Sequence, residues 1–290
     1  MANFVVPGNV LTNEQGYLRG HGSYLEEVGD SSSGESRNVL YASVAGQIER
    51  INKLVSVKPQ KLKYVGEVGD LVVGRISAVE GKRWKVDINA TKDAVLQLSS
   101  VNLVGGEQRM RTNEDQMSMR SLFVEGDLIS AEIQNIGADG TISIHTRSLR
   151  YGKLENGTLF RGSSSLIKRL PQHYVSLMWG VDVILGRNGN VWITRTLPEE
   201  WKVSLNMDHV APTAEDLESL RIRHAQTLLL AEERLCVARV YNLLNIFSKA
   251  KIVACPDSIS AAYQHSLDQC YAPKDLLHPS HSNLIVELMK

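Results

Sequence analysis

The chain has 290 residues, 43% of them hydrophobic and 22% charged, an ordinary globular balance with room for two or three domains. Its 32 lysines and arginines cancel its 32 aspartates and glutamates, which argues against a free-standing, tight nucleic-acid binder, since such proteins carry a strong basic excess. No long apolar span or secretory leader stands out, and the opening Met-Ala-Asn-Phe-Val-Val-Pro-Gly lacks a charged start, so the expected place is the cytosol or nucleus with no membrane partner.

Residues 1–60 read as a small β domain. Val5-Val-Pro-Gly8, Gly16 to Tyr24, Leu40 to Ala45, Gln47 to Ile51 and Leu54 to Val57 are short strand-like runs broken by glycine turns. Between them Gly29-Asp-Ser-Ser-Ser-Gly-Glu-Ser36 is poor in apolar residues and is expected to be a mobile insertion. So little aromatic content buries only a thin core, and the domain is expected to lean on a neighbour or partner. His21 in Arg19-Gly-His-Gly22 has no acid, nucleophile or second ligand near it in sequence, so tight-turn packing is the better reading.

Residues 61–151 form the clearest module. Apolar and polar residues alternate in Asp70 to Val79, Arg83 to Ile88, Ala94 to Ser99, Asp127 to Ile133 and Thr141 to Arg147, which predicts five strands. Turns fall at Glu80-Gly81 and Gly137-Ala-Asp-Gly140, and a long polar excursion separates the third strand from the fourth. This pattern suits a five-stranded oligonucleotide-binding (OB) barrel whose second and third strands face the ligand. The pleat places Trp84, Val86, Ile88, Leu96, Leu98, Ile142 and Ile144 inside, and Arg83, Lys85, Gln97, His145 and Arg147 outside. That outer face has cations in place of the usual stacking rings. Modest, salt-sensitive binding dominated by charge is the expectation.

From Arg147 to Arg169 six basic residues (Arg147, Arg150, Lys153, Arg161, Lys168, Arg169) meet one acid, Glu155. The strip is either an RNA-facing surface or a solvated linker. Residues 152–290 then turn mixed α/β. Ser163 to Leu170 suggests a short helix, and Val181 to Thr194 a hairpin whose Asn188-Gly189 pair supplies positive dihedrals. A long helical segment is expected after Pro212, capped by Thr213 with Asp216 in its first turn, and Leu217, Leu220, Leu228, Leu235, Val240, Leu243 and Phe247 recur at helical spacing. Arg221, Arg223, Glu232, Glu233, Arg234 and Arg239 read as its solvated surface. A further helix is predicted over roughly Ser258 to Gln269, with a last turn over Asn283 to Met289.

Cys236, Cys255 and Cys270 are far apart and form no CxxC pair, so reduced, mostly buried thiols are expected in place of a metal site or disulfide. There is no Walker loop, HExxH, nucleophile elbow or run of carboxylates. Asp70, Asp87, Asp93 and Asp127 are scattered, each explained by a turn or strand edge. No catalytic residue, metal or cofactor is predicted.

An ordered string of motifs resembles a known family: Val6-Pro-Gly8, Gly16-Tyr-Leu-Arg-Gly-His-Gly22, Tyr64-Val-Gly-Glu-Val-Gly-Asp70, Lys82-Arg-Trp-Lys-Val86, Glu125-Gly-Asp-Leu-Ile-Ser-Ala-Glu132, His145-Thr-Arg-Ser-Leu149 and Tyr151-Gly-Lys-Leu154. They are similar to the ribosomal-RNA-processing protein four subunits of the RNA exosome, closely from about Val5 to Leu154 and loosely beyond. The resemblance implies an N-terminal β domain, an S1-type OB barrel and a KH domain. It also implies a non-catalytic cap, placed with other cap subunits on a ring of subunits resembling phosphorolytic nucleases, that threads single-stranded RNA 3′ end first in nucleus, nucleolus and cytoplasm. The RNA-guiding residues then expected are Lys82, Arg83, Lys85, Gln97, Arg109, Arg111, His145, Arg147 and Arg150. Gly186-Arg187-Asn188-Gly189 matches the GxxG loop with which KH domains clamp backbone, but its hairpin setting equally allows a turn packed on the barrel. A purely structural clamp that never touches RNA, or a ribonuclease, are the alternative functions.

Overall fold

The computed structural model describes residues 4–14, 16–29, 36–59, 63–101, 112–137, 139–148, 150–196, 223 and 225–289. The chain divides into two units, Met1–Leu62 and Lys63–Lys290. In the first, β1 (Phe4–Val5), β2 (Val10–Thr12), β3 (Leu18–Arg19), β4 (Ser23–Gly29), β5 (Ser36–Ala42), β6 (Gly46–Ile51) and β7 (Leu54–Pro59) make two small sheets, ordered β1-β6-β7-β3 and β2-β5-β4. Their shared core is thin, as expected: Val5, Leu11, Leu40, Ala42, Val55 and Val57. Phe4, Leu18 and Ile51 stay 54%, 63% and 58% exposed.

The Arg19-Gly-His-Gly22 run is a packing turn. A Cβ on Gly20 would lie 2.6 Å from the Val55 carbonyl, and Gly22, at φ +74°, is as close to that of Val57. His21 itself is exposed. The expected insertion is narrower than the sequence suggests, because β4 and β5 pair out to Gly29↔Ser36. Residues 30–35 lie outside the described residues.

The second unit opens with the predicted barrel. Strands β8 (Leu71–Glu80), β9 (Arg83–Asp87), β10 (Ala94–Val101), β11 (Leu128–Ile136) and β12 (Ile142–Thr146) pair in the order β12-β10-β9-β8-β11, and β11 pairs with β12 to close the cylinder. β13 (Gly152–Lys153) extends β11. Trp84, Val86, Ile88, Leu96 and Ile144 are all buried inside, as the alternation requires. The excursion after β10 holds two short helices, α1 (Asn113–Met117) and α2 (Met119–Leu122). α1 is started by a reciprocal capping box between Thr112 and Asp115.

The remaining sheet has the order β14-β17-β16-β15, from β14 (Gly157–Arg161), β15 (Tyr174–Leu177), β16 (Val181–Leu185) and β17 (Asn190–Arg195). The expected helix at Ser163 shrinks to one 3-10 turn, Ser164–Leu166, because Ile167 leaves it to bridge Ala254. One face of the sheet packs on α3 (Ala231–Ala250), α4 (Pro256–Asp268) and α5 (Pro279–Leu288), with Val183, Val191 and Ile193 meeting Val240, Leu243 and Phe247.

The expected start of the long helix at Pro212, Thr213 and Asp216, with Leu217, Leu220 and Arg221, lies outside the described residues. Two of its supposed core positions are corrected. Leu228 is 90% exposed ahead of the helix and Leu235 is 55% exposed on its outer side, because Val237, Val240, Leu243 and Leu244 form the buried stripe. Arg239 is not simply solvated either, since its guanidinium donates to Ser266 Oγ at 2.9 Å and lies over the Tyr263 ring. The cysteines are less buried than expected: Cys236 and Cys255 are half-buried and Cys270 is exposed.

Candidate nucleic-acid interface

The pleat of β9, β10 and β12 carries the predicted residues to one outward face. Arg83 stands opposite Gln97 and Lys85 opposite Val95, while Val95 also pairs with Ser143, two residues before His145. The turn that presents Lys82 is fixed by a bond from Leu98 N to the Lys82 carbonyl, 3.0 Å. An open cleft of about 440 Å³ lies between Glu80–Arg83 and Gln97–Ser99. Arg147 and Arg150 are exposed just past β12. Arg109 and Arg111 lie outside the described residues.

Glu80 was not singled out by the sequence, yet it sets the charge of this face. Its carboxylate meets Lys85 Nζ at 2.7 Å and Arg83 Nη2 at 3.5 Å, and the Lys85 contact, ahead of the others, holds its pKa below the usual carboxylate range. Two of the expected RNA cations therefore have an internal counter-ion. All three side chains are well exposed, so phosphate can displace the carboxylate in water. Glu80→Gln is expected to raise affinity for a short single-stranded RNA by about two- to fivefold at low salt, read by fluorescence anisotropy. A variant no tighter than the natural chain would mean these cations do not meet RNA.

The other half of the barrel's outer face is closed. Leu71 and Val73 of β8 pack against Ile184 and Trp192 of the second sheet, and the Gly186–Gly189 loop is sewn into the same seam. Odd-numbered residues at the start of β8 point their amides towards β9, but the β8–β9 ladder begins only at Arg75↔Asp87. Asn188 fills the vacant stretch. Its Nδ2 donates to the carbonyls of Val73 at 2.8 Å and Ile88 at 2.9 Å, and its Oδ1 accepts from Val73 N at 3.3 Å. Arg187 N adds a bond to the Leu71 carbonyl, 2.9 Å. The asparagine amide thus stands in for a missing peptide group between two strands.

Gly186, Arg187, Asn188 and Gly189 thus form a turn packed on the barrel, with Arg187 half-buried and the other three buried. Of the Asn188-Gly189 pair, only Gly189 has a positive φ, +87°. A Cβ there would come within 2.5 Å of the Gly162 carbonyl.

Asp70 is likewise more than a turn residue. It is buried, accepts the Tyr64 hydroxyl at 2.7 Å, and faces Arg187 Nε at 3.6 Å and Arg169 Nε at 3.9 Å. Burial, then the bond to Asp70, pushes the Tyr64 pKa far up. Nearby His173 places Nδ1 2.7 Å from the Leu185 carbonyl while Nε2 accepts from Leu170 N, an arrangement that requires the neutral ring, and burial lowers its pKa accordingly. Tyrosine, carboxylate and arginine together lock the two modules of this unit. Among the described residues no group of three His, Cys, Asp or Glu side chains is arranged to hold a metal ion.

Comparison with known proteins follows the same division. Family models described as "Exosome complex exonuclease RRP4 N-terminal region", "RRP4, S1 domain" and "KH domain" match residues 4–51, 63–135 and 157–199. The chain is 42% identical over 284 residues to "Exosome complex component RRP4" of Bos taurus, covering 98% of this chain and 88% of that one. The chain belongs to the RRP4 family. The Mus musculus RRP4 component is 48% identical over 235 residues, 79% of this chain and 76% of that one. The Schizosaccharomyces pombe component is 50% identical over 193 residues, 67% of this chain, which spans 56% of that relative's length. As an RRP4 family member the chain is mostly β, with an S1 barrel, a KH domain and C-terminal helices.

Proposed function

We propose that this chain is an RNA-binding cap subunit of an exosome complex, without an active site of its own, which guides single-stranded RNA towards nuclease subunits resembling phosphorolytic enzymes. The reading is carried by the division of the barrel. One half of its outer face is sealed by the KH domain, and the other presents Lys82 on the β8–β9 turn and Arg83, Lys85, Gln97 and His145 on adjacent strands. Relatives named as exosome components support the assembly. Partner subunits are expected to cover the N-terminal unit, whose Phe4, Leu18 and Ile51 are exposed over a core too thin to bury them.

The test is an assembled complex carrying Arg83→Ala, Lys85→Ala, Arg109→Ala and Arg111→Ala. Substrate crosslinking and degradation are expected to fall, and the salt dependence of binding to flatten by about 0.7 in log–log slope for each phosphate no longer neutralised. Unchanged crosslinking and degradation would leave a structural clamp as the function. RNA shortening by the purified chain alone would replace the proposal with a nuclease.

A further inference from the structure

We propose that Tyr151 and His145 form a nucleobase-stacking step at the rim of the open face, where RNA leaving the cationic strands passes towards the KH domain. The inference rests on the RNA-guiding role and adds a second kind of contact to it. His145 is the last outward residue of β12, and its ring centroid is 6.2 Å from that of Tyr151. Tyr151 is followed by Tyr174 of β15 at 6.4 Å, with planes only 29° apart. Tyr151 and Tyr174 lie nearly parallel and His145 is tilted 59° from Tyr151, so the three half-buried rings form a bent line from the open face to the closed seam.

The hydroxyls are held by the protein, so the rings are set before any ligand arrives. Tyr151 donates to Glu132 Oε2 at 2.6 Å, and Tyr174 donates to the Arg150 carbonyl at 2.9 Å with Ser130 Oγ also near, at 3.2 Å. Their inner edges pack on the cluster of Leu71, Val73, Ile184 and Trp192. Core packing explains those inner edges. It leaves all three residues only half-buried, with exposed Arg147 close to His145 and exposed Arg150 close to Tyr151 and bonded through its carbonyl to Tyr174. A preorganised ring beside guanidinium groups is the combination that single-strand binders use, base on ring and phosphate on cation. His145 suits the same task as a neutral ring, since its Nδ1 accepts from Arg147 N.

Stacking and charge separate experimentally. Using the full chain in its complex, affinity for a single-stranded RNA carrying 2-aminopurine is measured across a salt series, with probe quenching as the stacking signal. Tyr151→Leu is expected to weaken binding about tenfold and abolish part of the quench, with an unchanged salt slope. Tyr151→Phe, which keeps the ring and loses only the Glu132 bond, should bind within about twofold of the natural chain. His145→Leu, which leaves the Glu132 bond in place, should lose about threefold and decides the matter if Tyr151→Leu fails to fold.

Equal losses in Tyr151→Phe and Tyr151→Leu would show a structural role and overturn the inference. So would unchanged affinity and quench in Tyr151→Leu or His145→Leu while Arg83→Ala with Lys85→Ala weakens binding, a result that leaves RNA guidance intact. If the arginine and lysine changes are also silent, it is the RNA-guiding role itself that fails.

Discussion

Asn188→Ala is expected to destabilise the barrel–KH unit by about 3 kcal/mol, lowering its melting temperature by roughly 6–12 °C in circular dichroism. The side chain is fully buried and bonds to Val73 N, Val73 O and Ile88 O. Alanine would leave Val73 N and Ile88 O without that partner in a dry seam, at about 1–3 kcal/mol for each orphaned group. Val73 O would keep its bond from Asn190 Nδ2, 2.8 Å, which limits the loss. A loop used as an RNA clamp makes the opposite forecast: an unchanged melting temperature with weakened RNA binding. That pattern would remove the structural assignment of the loop.

Local rules made much of this architecture legible in the sequence. Barrel strands alternate with period two, so the inward set of Trp84, Val86, Ile88, Leu96 and Ile144 followed from the pleat alone. The hairpin carrying Asn188 followed from turn chemistry. Its partner did not, because Val73 is 115 residues away in sequence and nothing in either segment names the other. Asp70 is similar: its neighbours explain a turn, while Arg187 and Arg169 reach it only once the two modules have docked. Glu80 could have been found, since the two-residue turn to Arg83 on the adjoining strand brings opposite charges together.

Helical periodicity misled at Leu228, which precedes α3, and at Leu235, which lies on its exposed side. The Thr112-to-Asp115 capping box that starts α1 is a short-range signal, but it lies in the polar excursion after the third strand, where no helix was expected. The line of rings was missed because it is assembled from β12, the link after it and β15. Strand-by-strand reading of the barrel face sees only His145 of the three.

Trp84→Ala is expected to be the most damaging single change to the barrel, at about 3–5 kcal/mol. The indole, on the second residue of β9, is fully buried. It meets the Phe123 ring edge-on at 5.5 Å, and its Nε1 donates to the Phe123 carbonyl at 3.2 Å. Truncation thus opens a cavity, orphans a carbonyl and loosens α2 and its C-cap, whose Met119 and Phe123 belong to the barrel core. The functional consequence follows from the pleat: Arg83 and Lys85 flank Trp84 on the opposite face, and both depend on β9 keeping its register with β10. RNA binding by Trp84→Ala should therefore fall by more than removal of either cation, and the fall should track the loss of native signal on thermal melting. Trp84→Phe keeps most of the volume and loses the Phe123 bond, so a smaller drop in melting temperature with nearly full RNA affinity is expected. If Trp84→Ala instead melts like the natural chain, the indole is not what holds the RNA-facing strands in place.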